Sequence, residues 1–131
     1  AYDVIIIGSG CAGLAAGIYT SRAGLETYII EKGSMGGEAM SRQLIENYPG
    51  FAEGIMGPEL AEAMLEQAAG TGAGIEAGEV TSIQDKGNYK IVRTQDDSLT
   101  CRGIIIASSE KAWSAGGGRT LRQGRVLLCN M

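Results

Sequence analysis

The residues with the clearest chemical promise are Gly8, Gly10 and Gly13, in the run Gly8-Ser9-Gly10-Cys11-Ala12-Gly13, followed later by the acidic Glu31. In the GxGxxG spacing each glycine has its own role. The first makes a tight strand-to-helix turn, the second leaves room for a pyrophosphate, and the third lets a helix lie close to a strand. A helix that starts at this loop turns its unpaired N–H groups and positive dipole end toward the phosphates, so no Lys or Arg is required there. An acid about twenty residues on can accept hydrogen bonds from ribose hydroxyls and would repel a 2′-phosphate, which directs the site away from NADP. Ser9, Cys11 and Ala12 within the loop, and Lys32 beside Glu31, complete the candidate cofactor-binding set at this end. Cys11 sits where a helix N-terminus can lower a thiol pKa, although a small packed residue is the simpler role.

The string carries weight only if the right elements surround it. Residues 2–7 form a short, nearly continuous apolar run with β-branched side chains, as expected of a parallel strand buried on both faces. Residues 11–23 follow with small and apolar positions at Ala12, Ala15, Ala16 and Tyr19, and Gly24 stands where a helix ends. Residues 27–31 are again β-rich, so the opening is predicted to be one right-handed βαβ unit with Glu31 at the end of its second strand.

Farther along, residues 32–51 have no sustained period and hold Gly36, Gly37, Pro49 and Gly50, which predicts an ordered loop of a functional kind. Pro58 opens an amphipathic helix with Leu60, Ala61, Met64, Leu65 and Ala68 on one face. The glycines at 70, 72, 74 and 78 are expected to serve turns and a helix C-terminus. Three strand-like segments at 79–84, 88–94 and 98–102 predict an antiparallel meander, and the Ile-Ile-Ile run in 103–107 predicts a third strand of the parallel sheet. Residues 108–123 show isolated apolar positions, a triple glycine and no clear period, and only 126–129 reads as strand.

Composition narrows the function classes. At 131 residues with 44% hydrophobic residues, the chain suits one domain with a real core. A formal charge of −4 and no Lys/Arg run argue against a nucleic-acid surface. No apolar stretch approaches the roughly 20 residues that span a bilayer, and the N-terminus lacks a basic flank or cleavage site, so a cytoplasmic location is expected. Cys11, Cys101 and Cys129 are widely separated and histidine is absent, so neither a CxxC pair nor a transition-metal site is expected.

The fingerprint alone does not choose between FAD and NAD. The segments Tyr19-Thr20-Ser21-Arg22-Ala23-Gly24, Ile30-Glu31, Gly36-Gly37-Glu38, Glu46-Asn47-Tyr48-Pro49-Gly50-Phe51, Gly57-Pro58-Glu59-Leu60 and Glu79-Val80-Thr81 extend the comparison. With them the chain closely resembles, almost continuously over residues 2–107, the N-terminal flavin domain of low-molecular-weight thioredoxin reductases, members of the pyridine nucleotide-disulfide oxidoreductases. The resemblance implies a three-layer α/β domain with a Rossmann-like parallel sheet, helices and a small antiparallel β-meander, with FAD as cofactor. Residues 1–107 would be the FAD-binding portion and 108–131 an unassigned tail. It also implies that Gly36, Gly37 and Glu38 lie beside the flavin ring, that Asn47 contacts the flavin, that Val80 meets the adenine through its backbone, and that the backbone at Ala107, Ser108 and Ser109 approaches the cofactor. For Asn47, a turn residue bonded to its own backbone is the alternative.

The chain departs from the family pattern in two places: Glu38 replaces the usual Gln, placing a carboxylate where it opposes negative charge on a reduced ring, and Ala107-Ser108-Ser109 stands where the family usually reads Ala-Thr-Gly, so that Ser109 replaces a glycine. No second GxGxxG and no CxxC are present. The sequence therefore predicts the flavin-holding portion of an oxidoreductase and no complete active site. The alternatives are a dinucleotide-binding module without turnover, a half-domain completed by a second chain or a further domain, and a flavin-free remnant. A homodimer stays open.

Overall fold

The structure is a computed structural model that describes residues 1–108 together with the strand residues 113–115, 119–121 and 126–128. Its center is a parallel array of β1 (Tyr2–Ile7), β2 (Thr27–Glu31), β5 (Gly74–Ala77) and β8 (Ser98–Ile106), joined on the far side of β8 by β7 (Lys90–Thr94) and β6 (Val80–Asp85), in the order β5-β2-β1-β8-β7-β6. β1 pairs in parallel with β2 and with the second half of β8, whereas β7 runs antiparallel to the first half of β8 and β6 antiparallel to β7. The Rossmann-like sheet with an antiparallel meander is thus the observed architecture.

The apolar run of β1 is explained by burial on both faces. Alternate side chains leave a strand on opposite sides. Val4 and Ile6 therefore meet Leu14 and Ile18 of α1 (Cys11–Arg22) and Leu60, Met64 and Ala68 of α2 (Gly57–Gly70). Ile5 and Ile7 instead join Ile30, Val80, Val92, Ile104 and Ile106 on the meander side. Ile5, Ile6, Leu14, Ile29 and Ile104 are completely buried, each stabilising the fold by about 1.5–3 kcal/mol relative to an exposed position. α1 ends at Arg22 and is followed by Gly24, whose N–H donates to Ser21 O while that of Leu25 reaches back to Thr20 O, satisfying carbonyls of the last turn.

Several elements differ from the sequence expectation. The two segments at 98–102 and 103–107 are one nine-residue strand, β8. Polar and apolar stretches merge because the first half serves the meander and the second half the parallel sheet. Residues 74–77, expected to be turn, form the edge strand β5. Gly74 adopts strand geometry there because its missing side chain admits the Tyr28 ring, 2.8 Å from where a Cβ would stand. Within 32–51 the chain forms a 3-10 turn (Gly37–Ser41) and β3 (Leu44–Ile45), which pairs with β4 (Ile55–Met56). In the tail, β9 (Trp113–Ala115) and β10 (Arg119–Leu121) make a two-stranded ribbon that periodicity did not signal, and β11 (Val126–Leu128) runs antiparallel to β8.

Close packing of α1 on the sheet generates a test. A Cβ on Gly13 would collide with the Gly8 carbonyl, a backbone group that cannot yield, whereas one on Gly17 would meet the terminal methyl of Ile29 at 2.6 Å. Gly13→Ala is expected to destabilise the chain by about 3 kcal/mol in urea unfolding. Gly17→Ala should stay within about 1 kcal/mol of the parent, since Ile29 can shift and alanine favours helix. Equal losses would contradict this explanation.

Candidate functional site

β1 delivers the chain to Gly8, which turns with φ of 104°. A side chain there would lie 2.6 Å from the Ala107 carbonyl oxygen, so Gly8 is demanded both by its backbone and by the neighbouring end of β8. Ala107 N–H donates to Ile7 O at 2.8 Å, and this bond holds the Ala107-Ser108 backbone beside the glycine turn. Gly13 is demanded by its contact with Gly8. Gly10 is different. Its φ of −69° and ψ of −177° suit any residue, and nothing lies within 4 Å of where its Cβ would be.

Gly10 also caps α1, and the helix has neither a side-chain cap nor an acid in its first turn. The helical ladder begins with Leu14 N–H to Gly10 O at 2.9 Å, so the N–H groups ahead of Leu14 lack intrahelical acceptors. Among the described residues, no capping side chain or first-turn acid supplies the negative charge that such an end attracts. Cys11 follows Gly10, half-buried; burial pushes its thiol up, outweighing the opposing effect of its own backbone N–H. The direction is opposite to the lowering that a helix N-terminus can produce. Ala12 is exposed on the outer side of the first turn.

Glu31 closes the other edge. Its Oε2 accepts the Ser9 N–H at 2.6 Å and the Ser9 hydroxyl at 2.8 Å, and its Oε1 accepts the Gly33 N–H at 2.8 Å. A carboxylate has about four lone-pair directions, so one remains for a ligand hydroxyl. Gly78 N–H donates to Glu31 O at 2.8 Å, which seats the approach to β6 beside Glu31 and places Val80 at that end, its side chain in the core. Lys32 points outward and pairs with Glu79 at 3.2 Å, both largely exposed.

On the opposite side of Gly10 the chain packs Gly36 and Gly37 against the loop. Gly36 N–H donates to Ser9 Oγ at 3.2 Å, and a Cβ on Gly37 would stand 2.8 Å from Gly10 Cα. Beyond them opens a cleft of about 590 Å³ lined by Cys11, Glu38, Ala39, Arg42, Leu44, Ile45, Glu46, Asn47, Tyr48 and Leu60. The sequence-derived positions therefore fall into a continuous path. Val80, Lys32 and Glu31 lie at one end, Gly8 to Gly13 with Ala107 and Ser108 in the middle, and Gly36, Gly37, Glu38 and Asn47 at the other. Ser109 lies outside the described residues.

A glycine turn against a parallel strand pair, an acid at the second strand's end and a cleft beyond the helix start define a dinucleotide-binding architecture. A family model for pyridine nucleotide-disulphide oxidoreductases matches residues 2–115. The chain belongs to this family. Among curated relatives, the thioredoxin reductase of Bacillus subtilis is 46% identical over 107 residues, covering 82% of this chain and 34% of that protein. That of Listeria monocytogenes is 44% identical over 130 residues, covering 98% and 40%. The solved structure of Lactococcus lactis thioredoxin reductase superposes with a TM-score of 0.80 at 44% identity, over 88% of this chain and 38% of that one. The chain thus spans between a third and two fifths of the length of the relatives it matches, and its match is to their flavin-domain segment.

Sequence reasoning missed the cleft wall. Arg42, one helical turn after Glu38, lies 3.8 Å from its carboxylate, and the spacing of opposite charges four residues apart was the available signal. Tyr48 reaches inward to the Met64 sulfur at 3.7 Å, tying the Asn47 segment to α2. Gly57, whose Cβ would strike the carbonyls of Ala39 and Arg42, lets α2 begin directly under the 3-10 turn. Among the described residues, no cluster of potential metal ligands occurs and no helix is long and apolar enough to cross a membrane.

The Glu31 network carries a second prediction. Glu31→Ala strips the acceptor from the buried Ser9 N–H and from Gly33, so it is expected to lower stability in the absence of any nucleotide by about 2 kcal/mol. Glu31→Gln keeps one acceptor oxygen and should lose about half as much. Urea unfolding of ligand-free protein measures both, and an unchanged Glu31→Ala variant would show that the carboxylate does not hold the loops together.

Proposed function

We propose that this chain is the FAD-holding portion of a thioredoxin reductase-like flavoprotein, with the ADP half of the cofactor along Gly8 to Gly13 and Glu31 and the flavin half directed into the cleft between Glu38 and Asn47. The observation that carries the reading is Gly10. Its conformation and its surroundings in the protein both admit a side chain, so the glycine is explained by a ligand that must approach the backbone there. The start of α1, without a protein acid or cap, fits a pyrophosphate for the same reason.

Each residue then has a bounded role. The α1 N–H groups receive phosphate oxygens, and the remaining lone pair of Glu31 accepts a ribose hydroxyl while its charge disfavours a 2′-phosphate. The backbone at Ala107 and Ser108 walls the turn from the β8 side. Glu38 stands 3.8 Å from Arg42 with both side chains exposed, so the charge of the acid that replaces the family's usual Gln is only partly offset. Bound FAD supplies hydride-accepting chemistry, which the protein positions but does not itself perform. The reductase activity in the relatives' names is proposed only for an assembly that adds a nicotinamide site and a dithiol to this portion, whether from a longer protein or from a second chain.

Titration of the purified chain, freed of flavin, with FAD and with FMN tests the proposal. One equivalent of FAD should bind and color the protein yellow after dialysis. FMN, which lacks the ADP half, should bind at least about 100-fold more weakly, the equivalent of losing two charge-assisted hydrogen bonds. Equal affinity for the two flavins would place the binding determinants away from the glycine turn, and no binding of either would overturn the assignment.

A further inference from the structure

Ser9 occupies a fingerprint position that the dinucleotide pattern leaves free, yet it is completely buried. Its hydroxyl donates to Glu31 Oε2 at 2.8 Å and accepts the Gly36 N–H at 3.2 Å. Gly36 is itself buried, and Gly37 beside it rests on Gly10. From Gly37 the chain turns into Glu38, Ala39 and Arg42, which line the cleft. One buried hydroxyl therefore stands between the carboxylate at the ribose end and the backbone that begins the cleft wall.

We infer that Ser9 is a positioning residue that couples the two halves of the dinucleotide site, holding the Gly36-Gly37 turn in register with Glu31 through its Oγ. A serine hydroxyl has one proton and two lone pairs. The proton has the Glu31 carboxylate at 2.8 Å and the Met35 sulfur at 3.8 Å before it, and the carboxylate, the closer and stronger acceptor, takes it. That bond polarises the oxygen and strengthens it as the acceptor for Gly36 N–H. Removing the hydroxyl has unequal consequences. Glu31 keeps the N–H groups of Ser9 and Gly33, whereas Gly36 N–H is left buried without its acceptor. The damage falls on the cleft end, so a ligand that fills both ends should suffer more than one that fills the ribose and phosphate end alone.

The inference rests on the FAD reading, and calorimetric titration with FAD and with ADP separates the two. The parent chain should bind both. Ser9→Ala should lower FAD affinity by about tenfold or more, the consequence of a buried donor losing its acceptor, while ADP affinity stays within about threefold. Ser9→Cys, of similar volume but a weak donor and acceptor, should fall between. Proportionate losses for the two ligands, or no loss, would overturn the coupling and leave the FAD reading intact. Failure of the parent to bind either ligand would overturn that reading and the inference with it. Amide hydrogen exchange on the parent decides the matter if neither variant folds: ADP should slow exchange at Gly36, and an unchanged rate there would overturn the coupling.

Discussion

The contact between Gly13 and the Gly8 carbonyl is the constraint from which the rest of the site follows. A helix at ordinary packing distance would start well clear of the strand ends. Here the absence of two side chains lets α1 begin against the turn that leaves β1, with Leu14 and Ile18 driven into the sheet by burial. The positive end of the helix is thereby brought over the carboxyl ends of β1 and β8, beside Ala107, where open α/β sheets bind ligands. Gly17 extends the same approach along the helix, opposite Ile29 and Ile6.

Around that contact, polar groups are arranged to leave the backbone at the start of α1 unobstructed. Glu31 is held back at the end of β2, occupied by Ser9 and Gly33 and turned along the loop edge rather than onto the helix start. The same carboxylate therefore serves the fold and, in the proposed function, the ligand. It braces the two loops in the ligand-free chain and retains an acceptor direction for a hydroxyl. An acid in the first turn of α1 would have stabilised the helix by a few tenths of a kcal/mol, at the expense of the anion site proposed there.

Much of this was legible in the residues. The alternation-free apolar run at 2–7, the glycine spacing and the acid at the end of a second β-rich run determine one another physically, so the βαβ unit could be read together with the candidate site proposed on it. The family resemblance extended that reading to Asn47 and Val80. What escaped was structure created by tertiary pairing. β5 begins at a glycine and owes its conformation to β2 and the Tyr28 ring, and β8 crosses two differently patterned segments because its two halves have different neighbours. The cleft wall escaped for two reasons: Tyr48 acts through Met64 on α2, a partner that no local pattern names, and the Glu38–Arg42 spacing, though local, does not by itself reveal that the pair lines a cleft. The bracing role of Glu31 was likewise invisible, since its donors are a buried serine 22 residues away and a loop backbone.

The central claim is that Gly10 is a glycine for the sake of a ligand and not of the fold. Gly10→Val places a branched side chain at a position whose backbone is extended and whose Cβ meets nothing within 4 Å. Urea unfolding and FAD titration on this one variant measure the claim directly. The predicted result is stability within about 1 kcal/mol of the parent together with loss of FAD affinity by at least about 100-fold, because the side chain occupies the pyrophosphate's approach. A folded variant that binds FAD as tightly as the parent would contradict the claim.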